Sequence, residues 1–142
     1  MTSSLDDRLL SALRRNARLS TSELARQLDV SRATVQNRIR KLEDAGIIEG
    51  YTVRLGQNWR DKRIRAHVLV EVEQKRSAEV TRRLEQLDSV AALYVISGNY
   101  DLILELEVDS TGALSGQLDD IGLLTGVLRT TSSVILETRV RQ

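Results

Sequence analysis

The chain has no cysteine and no proline among its 142 residues, and these absences narrow what it can be. Without cysteine it has no disulfide bond, no thiolate nucleophile and no cysteine-ligated metal. No apolar run approaches the roughly 18–20 residues needed to cross a bilayer. The N-terminal residues lack the basic and apolar regions of a secretory signal. We therefore expect a cytoplasmic protein with no membrane partner, and no motif predicts a metal or cofactor.

Charge is unevenly distributed along the chain. The formal net charge is +1, but residues 1–60 carry 11 Lys and Arg against 7 Asp and Glu, whereas residues 61–142 carry 10 against 13. A basic front half joined to an acidic back half is typical of a nucleic-acid-binding segment attached to another domain. The length allows one ordinary domain or two small ones.

Three short amphipathic helices are predicted over the first 46 residues. The first has leucines at helical spacing, at Leu5, Leu9, Leu10 and Leu13. The stretch Ser20–Glu23 matches a capping box that begins the second helix, and Asp29 ends that helix. Ser31 caps the third helix, and Gly46 follows its end. The pattern from Ile47 to Val53 then predicts a strand.

The second and third helices predict a helix-turn-helix over Thr21–Arg40. Ala25 is small enough to let the two helices cross closely, and Asp29 tolerates the left-handed backbone that the turn requires. The apolar residues that would hold the helices together are Leu24, Leu28, Val30, Val35 and Ile39. This motif braces its second helix against the major groove of double-stranded DNA.

The polar face of the third helix supplies the candidate DNA contacts. Arginine can bond guanine, and asparagine or glutamine can bond adenine, so the base-reading candidates are Arg32, Gln36, Asn37 and Arg40. The candidates for phosphate contacts are Ser31, Thr34, Arg38 and Lys41. A solvated face of an ordinary helical bundle is the alternative, but the small residue, the turn and the apolar contacts agree in favouring DNA binding.

The second half of the chain predicts a ferredoxin-like sheet. Residues 55–63 are polar and are interpreted as a linker, with Trp59 as its one large apolar anchor. The predicted elements that follow are a strand over Ile64–Val72, a helix over Lys75–Asp88, strands over Val90–Ser97 and Asp101–Val108, a helix over Ser110–Leu124 and a strand over Val127–Val140. This β-α-β-β-α-β order is ferredoxin-like. In such a fold the helices cover one face of the sheet. The other face, which includes Leu69 and Ile103, is left open, and we expect it to be covered by dimerisation.

The predicted fold class is therefore α+β, with a helix-turn-helix domain at 1–54, a linker at 55–63 and a ferredoxin-like domain at 64–142. Six stretches, in this order, also match a known pattern: Leu5–Leu10, Leu24–Ser31, Arg38–Glu43, Gly46–Tyr51, Ser97–Asp101 and Gly126–Thr130. In combination they resemble the Lrp/AsnC (feast/famine) family of transcriptional regulators. The resemblance implies an N-terminal winged helix-turn-helix and a C-terminal effector-binding and oligomerisation domain. It also implies homodimers, tetramers or octamers, and an amino acid or related small molecule as effector.

The same resemblance assigns candidate effector contacts. The loop after the second strand matches the family's effector-loop motif, and two positions on the last strand match its pocket lining; the implied residues are Gly98, Asn99, Tyr100, Asp101, Thr130 and Ser132. Asn99 stands where the family usually has an acidic residue. The Gly98-Asn99 pair also suits an ordinary hairpin turn, and such a turn can expose backbone N–H groups that hold a carboxylate.

Two other functions stay open beside a sequence-specific regulator. One is a DNA-architectural protein with little sequence specificity. The other is an enzyme, because some proteins similar to this family act as haem-precursor decarboxylases. That chemistry would want histidine beside a tetrapyrrole, and His67, the only histidine, is more typical of a surface residue. We therefore expect a regulator and no catalytic residues.

Overall fold

The computed structural model describes residues 4–140 and divides the chain into two compact units, Met1–Arg54 and Leu55–Gln142. The first unit contains the helices α1 (Ser4–Arg15), α2 (Thr21–Leu28) and α3 (Arg32–Asp44). Each turns an apolar face inward, and the buried residues of this core are Leu9, Ala12, Leu13, Leu24, Ala25, Leu28, Val35 and Leu42. The three predicted helices are confirmed.

The strand predicted over residues 47–53 is wrong, because no strand forms there in the described chain. Gly46 reverses the backbone at the end of α3 with φ of 69°. The amides of Ile47 and Ile48 then both donate to the carbonyl oxygen of Leu42, at 2.9 and 3.0 Å. A strand needs a neighbouring strand to take up its backbone hydrogen bonds, and the first unit offers none among its described residues.

The second unit is a four-stranded sheet with helices. After a short helix α4 (Gln57–Arg60), its elements are β1 (Ile64–Val72), a 3-10 turn (Gln74–Arg76), α5 (Ser77–Glu85), β2 (Val90–Val95), β3 (Leu102–Val108), α6 (Thr111–Leu123) and β4 (Val127–Ile135). The strands are antiparallel in the spatial order β2-β3-β1-β4. The predicted ferredoxin-like βαββαβ topology is confirmed.

The sheet has one face covered by helices and one open face. On the covered face, Val68 and Leu104 are fully buried and pack with Val80 and Leu84 of α5 and Ile121 of α6. On the open face, the cross-strand neighbours are Leu69 and Ile103, both half-buried, with Tyr94 beside Ile103 at 55% exposure.

Two strands end earlier than predicted. β2 ends at Val95 rather than Ser97 because the Ile96 amide closes the following loop on the Asp101 carbonyl oxygen, at 2.8 Å. β4 ends at Ile135 rather than Val140. Its neighbour β1 begins at Ile64, and the register already pairs Arg65 with Ile135, so β1 has almost no residues left to continue the ladder.

Other boundaries shift by smaller amounts. The helix predicted over Lys75–Asp88 is shorter, because a 3-10 turn occupies its start and the helix ends at Glu85. The helix predicted over Ser110–Leu124 is one residue shorter at each end, since Ser110 is its N-cap and Leu124 its C-cap. Trp59 is not an apolar anchor: it lies in α4, is 60% exposed, and has the Lys62 ammonium 5.7 Å from its ring centroid.

Gly126 brings the start of β4 close to α5. Its backbone has φ of 101°, and its carbonyl oxygen accepts the Glu73 amide at 2.7 Å. A Cβ at this position would lie 2.8 Å from the Cβ of Arg76 and 2.9 Å from Cγ2 of Val80. Only glycine fits this combination of backbone conformation and close approach.

Candidate nucleic-acid interface and effector loop

The turn between α2 and α3 depends on one left-handed residue. Asp29 has φ of 56° and ψ of 51°, and it is the only non-glycine residue with positive φ among residues 4–140. The amides of Asp29 and Val30 both donate hydrogen bonds to the Ala25 carbonyl oxygen. Ala25 is buried where the helices meet. The small residue and the turn residue therefore have the roles that the sequence predicted.

Side-chain caps fix the first turns of both helices. The Ser20 hydroxyl accepts the Glu23 amide at 3.1 Å, and the Glu23 carboxylate accepts the Ser20 amide at 2.8 Å. This hydrogen bond from the Ser20 backbone lowers the pKa of Glu23. At the start of α3 the Ser31 hydroxyl accepts the Thr34 amide at 3.1 Å, and the two hydroxyl oxygens lie 2.8 Å apart.

The base-reading candidates share the outer face of α3. All four are exposed, while Val35 and Leu42 of the same helix are buried. Within residues 4–140 no side-chain hydrogen bond or ion pair engages the four, which are Arg32, Gln36, Asn37 and Arg40. Their donors and acceptors are therefore available to an external partner.

The phosphate-contact candidates are not equivalent. Ser31 and Lys41 are exposed, and Thr34 is half-buried beneath the cap. Arg38 is turned toward α1, where its Nη1 lies 3.6 Å from Oδ2 of the buried Asp6. This pair was not predicted from the sequence. The signal was present, since Asp6 shares a helix face with Leu9.

The loop between β2 and β3 is held at its base by Asp101. The Asp101 carboxylate accepts the Val72 amide at 2.8 Å, and the Asp101 amide donates to the Val70 carbonyl oxygen at 3.0 Å. Gly98 has φ of 135°, which favours glycine, and both Gly98 and Asn99 are exposed. The tip of the loop is therefore open to solvent, whereas its base is tied to β1.

Tyr100 extends from the same loop across the open sheet face. Its hydroxyl lies 2.6 Å from the Thr131 hydroxyl, and the Arg129 guanidinium lies 4.8 Å from its ring centroid. Arg129 also pairs with the Glu71 carboxylate at 3.1 Å. Sequence reasoning missed Thr131 and Arg129 as partners of Tyr100, because only the strand register brings them to the loop.

The two candidates on β4 lie on the other face. Thr130 pairs with Val70 and Ser132 with Val68, so both share the helix-covered face of β1. Thr131 pairs with Leu69 on the open face. The structure thus brings Tyr100 together with Thr131 rather than with Thr130 or Ser132.

Residues 4–140 offer neither a metal-binding cluster nor a membrane-spanning helix. This range holds no cluster of three or more His, Asp or Glu side chains suited to a metal ion. Each helix in this range is too short or too polar to cross a membrane. His67 is exposed on the open face, between Glu105 and Ser133 in the neighbouring strands.

Comparison with known proteins agrees with this architecture in both units. The model of a winged helix-turn-helix DNA-binding domain matches residues 3–49, and that of the Lrp/AsnC ligand-binding domain matches residues 65–142. The chain belongs to the Lrp/AsnC family. The regulator LrpA1 of Halobacterium salinarum is 35% identical over 84% of this chain and 84% of its own length.

Solved structures of other transcriptional regulators have the same fold. AsnC of E. coli matches with a TM-score of 0.91 and 26% identity, over 100% of this chain and 97% of that one. The Neisseria meningitidis regulator NMB0573, in complex with L-Met, matches with a TM-score of 0.90 and 23% identity, over 99% and 94%. The protein is thus a helix-turn-helix transcriptional regulator of the Lrp/AsnC type with a ligand-binding domain.

Proposed function

We propose that this Lrp/AsnC protein binds specific DNA sequences by inserting α3 into the major groove. The observation that carries this proposal is the uncommitted outer face of α3, where Arg32, Gln36, Asn37 and Arg40 are exposed without internal partners. These residue types form paired hydrogen bonds with guanine or adenine edges. DNA as the target also supports a cytoplasmic location.

The phosphate contacts that accompany base reading come from Ser31, Thr34, Arg38 and Lys41. Exposure favours a full electrostatic contribution from Lys41, whereas the ion pair with Asp6 reduces that of Arg38. Each neutralised phosphate releases counterions, so binding affinity must fall with salt concentration. We expect Lys41→Ala to lower affinity and its salt dependence more than Arg38→Ala does.

The test of sequence reading compares the protein's own promoter region with random duplex of equal length at moderate salt. Asn37→Ala and Arg40→Ala are each expected to reduce discrimination by about 1–3 kcal/mol. Arg82→Ala is the matched control, because Arg82 is an exposed arginine without an ion pair on α5 of the other unit. Equal affinity for both duplexes in the unmodified protein contradicts specific reading, and affinity that depends only on duplex length supports the architectural alternative.

We also propose that the second unit forms a homodimer through its open sheet face, with tetramers or octamers built from these dimers. The support is an apolar row on this face, formed by the half-buried Leu69 and Ile103 and by Tyr94, which is 55% exposed. Tyr94→Asp places a charge in this row and is expected to yield monomers in sedimentation analysis. His67→Asn, on the same face outside the row, is the control, and dimers that persist in Tyr94→Asp contradict the assignment.

The proposed effector is an amino acid or a related small molecule that contacts the loop Gly98–Asp101. Thr130 and Ser132 are proposed as further contacts from β4. The exposed Gly98-Asn99 tip, held by Asp101 and Tyr100 at its base, supports a preformed site with available backbone N–H groups. Because Tyr100 and Asp101 already have intramolecular partners, we expect Asn99 to contribute the most direct side-chain contact.

A thermal-shift screen of the standard amino acids tests the effector proposal, and L-Met is the first ligand to try. A ligand present at 100 times its dissociation constant stabilises the folded protein by about 2.7 kcal/mol. Asn99→Ala is expected to remove most of that shift and leave the melting temperature of the free protein unchanged. A screen without any stabilising ligand contradicts amino-acid binding and favours a ligand-independent regulator.

A further inference from the structure

The residues that follow β4 extend an edge strand without backbone pairing, and the Thr138 hydroxyl accepts a hydrogen bond from the Arg65 guanidinium. Leu136–Val140 come directly after Ile135, the last β4 residue paired with β1, and they belong to no strand in the described chain. Leu136 is 94% exposed and Val140 is 75% exposed. An edge strand offers unpaired backbone groups that readily accept another strand, and here the extension adds exposed apolar side chains.

The extension has the side-chain pattern of a strand. Leu136, Thr138 and Val140 alternate with the oppositely charged Glu137 and Arg139. The two charged side chains lie on one side and pair with each other, with 3.3 Å between the Arg139 Nε and a Glu137 carboxylate oxygen. This period of two is the spacing of an extended chain whose faces differ in polarity.

The sequence of the extension is complementary to itself in one antiparallel register. If Thr138 lies opposite Thr138 of a second copy, then Glu137 lies opposite Arg139 and Leu136 lies opposite Val140, twice each. A shift of the centre by one residue in either direction places Glu137 opposite Glu137 or Arg139 opposite Arg139. Opposite charges across a strand pair stabilise it and like charges destabilise it.

We propose that residues 136–140 of two copies of this chain pair as antiparallel strands about a two-fold axis at Thr138. The self-complementary charge pattern identifies the occupant as a second copy, because the same patch serves both partners in an isologous interface. This contact differs from the open sheet face, since it uses backbone beyond the end of the sheet.

Disulfide trapping tests the register directly, because the chain contains no cysteine. Thr138→Cys places two thiols opposite each other at a Cα separation of about 4.5–5.5 Å, within disulfide range. Mild oxidation is expected to give a covalent dimer at least roughly ten times faster than Ser115→Cys, an exposed control on α6. Equal rates overturn the proposal.

Charge reversal tests the pairing in the same Thr138→Cys background. Glu137→Arg and Arg139→Glu each create two like-charge pairs, and each is expected to slow trapping by on the order of tenfold. A mixture of the two variants should cross-link as a heterodimer at the original rate, because every pair is then opposite in charge. A general effect of the substitutions on folding or on thiol reactivity would not favour the heterodimer over the two homodimers. A mixture in which the heterodimer is not in excess therefore overturns the pairing.

Hydrogen exchange of the unmodified protein tests the same pairing without depending on whether the variants fold. Backbone pairing protects the amides of residues 136–140 from hydrogen exchange, and the protection should increase with protein concentration. The amides of the loop tip at Gly98 and Asn99 are the exposed control within the same chain. Exchange at 136–140 that is fast and independent of concentration overturns the proposal.

Discussion

Replacing Gly126 by alanine is expected to destabilise the ligand-binding unit by about 2–6 kcal/mol. Two effects contribute. A side chain at φ of 101° costs roughly 1–3 kcal/mol in backbone strain. The new Cβ also lies under 3.0 Å from side-chain atoms of Arg76 and Val80, and forcing such overpacking costs about 1–3 kcal/mol.

Gly116→Ala is the matched control for this change. Gly116 lies inside α6, and an added Cβ there meets nothing within 4 Å. Alanine in a helix interior is more favourable than glycine by roughly 0.5–1 kcal/mol. The same chemical change should therefore destabilise the unit at Gly126 and stabilise it at Gly116.

Urea unfolding by circular dichroism measures both effects, and hydrogen exchange of the β1 amides assigns them to the second unit. Two compact units can unfold separately, so the unit-specific probe is needed. A loss below about 1 kcal/mol for Gly126→Ala, with an unchanged m-value, would refute the reasoning. Such a result would mean that Arg76 and Val80 move away from residue 126 at little energetic cost, so that their close approach to Gly126 does not stabilise the unit.

Three further predictions concern single hydrogen bonds and ion pairs. Asp6→Asn is expected to destabilise the first unit by about 1–3 kcal/mol in urea unfolding, and by releasing Arg38 to raise the salt dependence of DNA binding; unchanged values contradict the pair. Glu23 has a lowered pKa in the folded protein, so the stability it contributes is present above its unfolded value of 4.5 and is lost as pH falls through the folded pKa. The variant Glu23→Gln should lose that part of the acid dependence of the melting temperature, and an identical pH profile would contradict it. Asp101→Asn weakens acceptance of the Val72 amide and is expected to speed hydrogen exchange in the loop, whereas unchanged exchange would show that the carboxylate does not hold it.

The helix-turn-helix was predictable from the sequence because its determinants are local. A capping box spans four residues, and the left-handed Asp29 lies between two helical patterns, so neither depends on distant parts of the chain. The ferredoxin-like order was predictable for a similar reason, since period-two and helical patterns alternate along the chain. Residues 47–53 have the local pattern of a strand but no partner strand among the described residues of their unit. Sequence periodicity does not show whether a partner strand is available, so the strand predicted there was wrong.

The geometry of the candidate effector loop was less predictable because it depends on strand register. Tyr100 and Thr131 are 31 residues apart, and they meet only because β1 aligns Leu69 with both Ile103 and Thr131. A shift of one residue in either pairing would exchange the two faces of the sheet. The resemblance to the family marked this loop as a candidate effector site, but it could not assign Thr130 and Tyr100 to opposite faces.

In the dimer proposed above, dimerisation and sequence reading depend on each other. One recognition helix offers four candidate side chains, and each correct base contact provides roughly 1–3 kcal/mol of discrimination. Specific sites must compete with a large excess of non-specific DNA, which typically requires about 4–10 kcal/mol. Two helices related by a two-fold axis double the number of contacts on a pseudo-palindromic site. Any interface that sets the spacing of those helices, whether the open sheet face or the extension after β4, therefore contributes to sequence specificity without touching DNA.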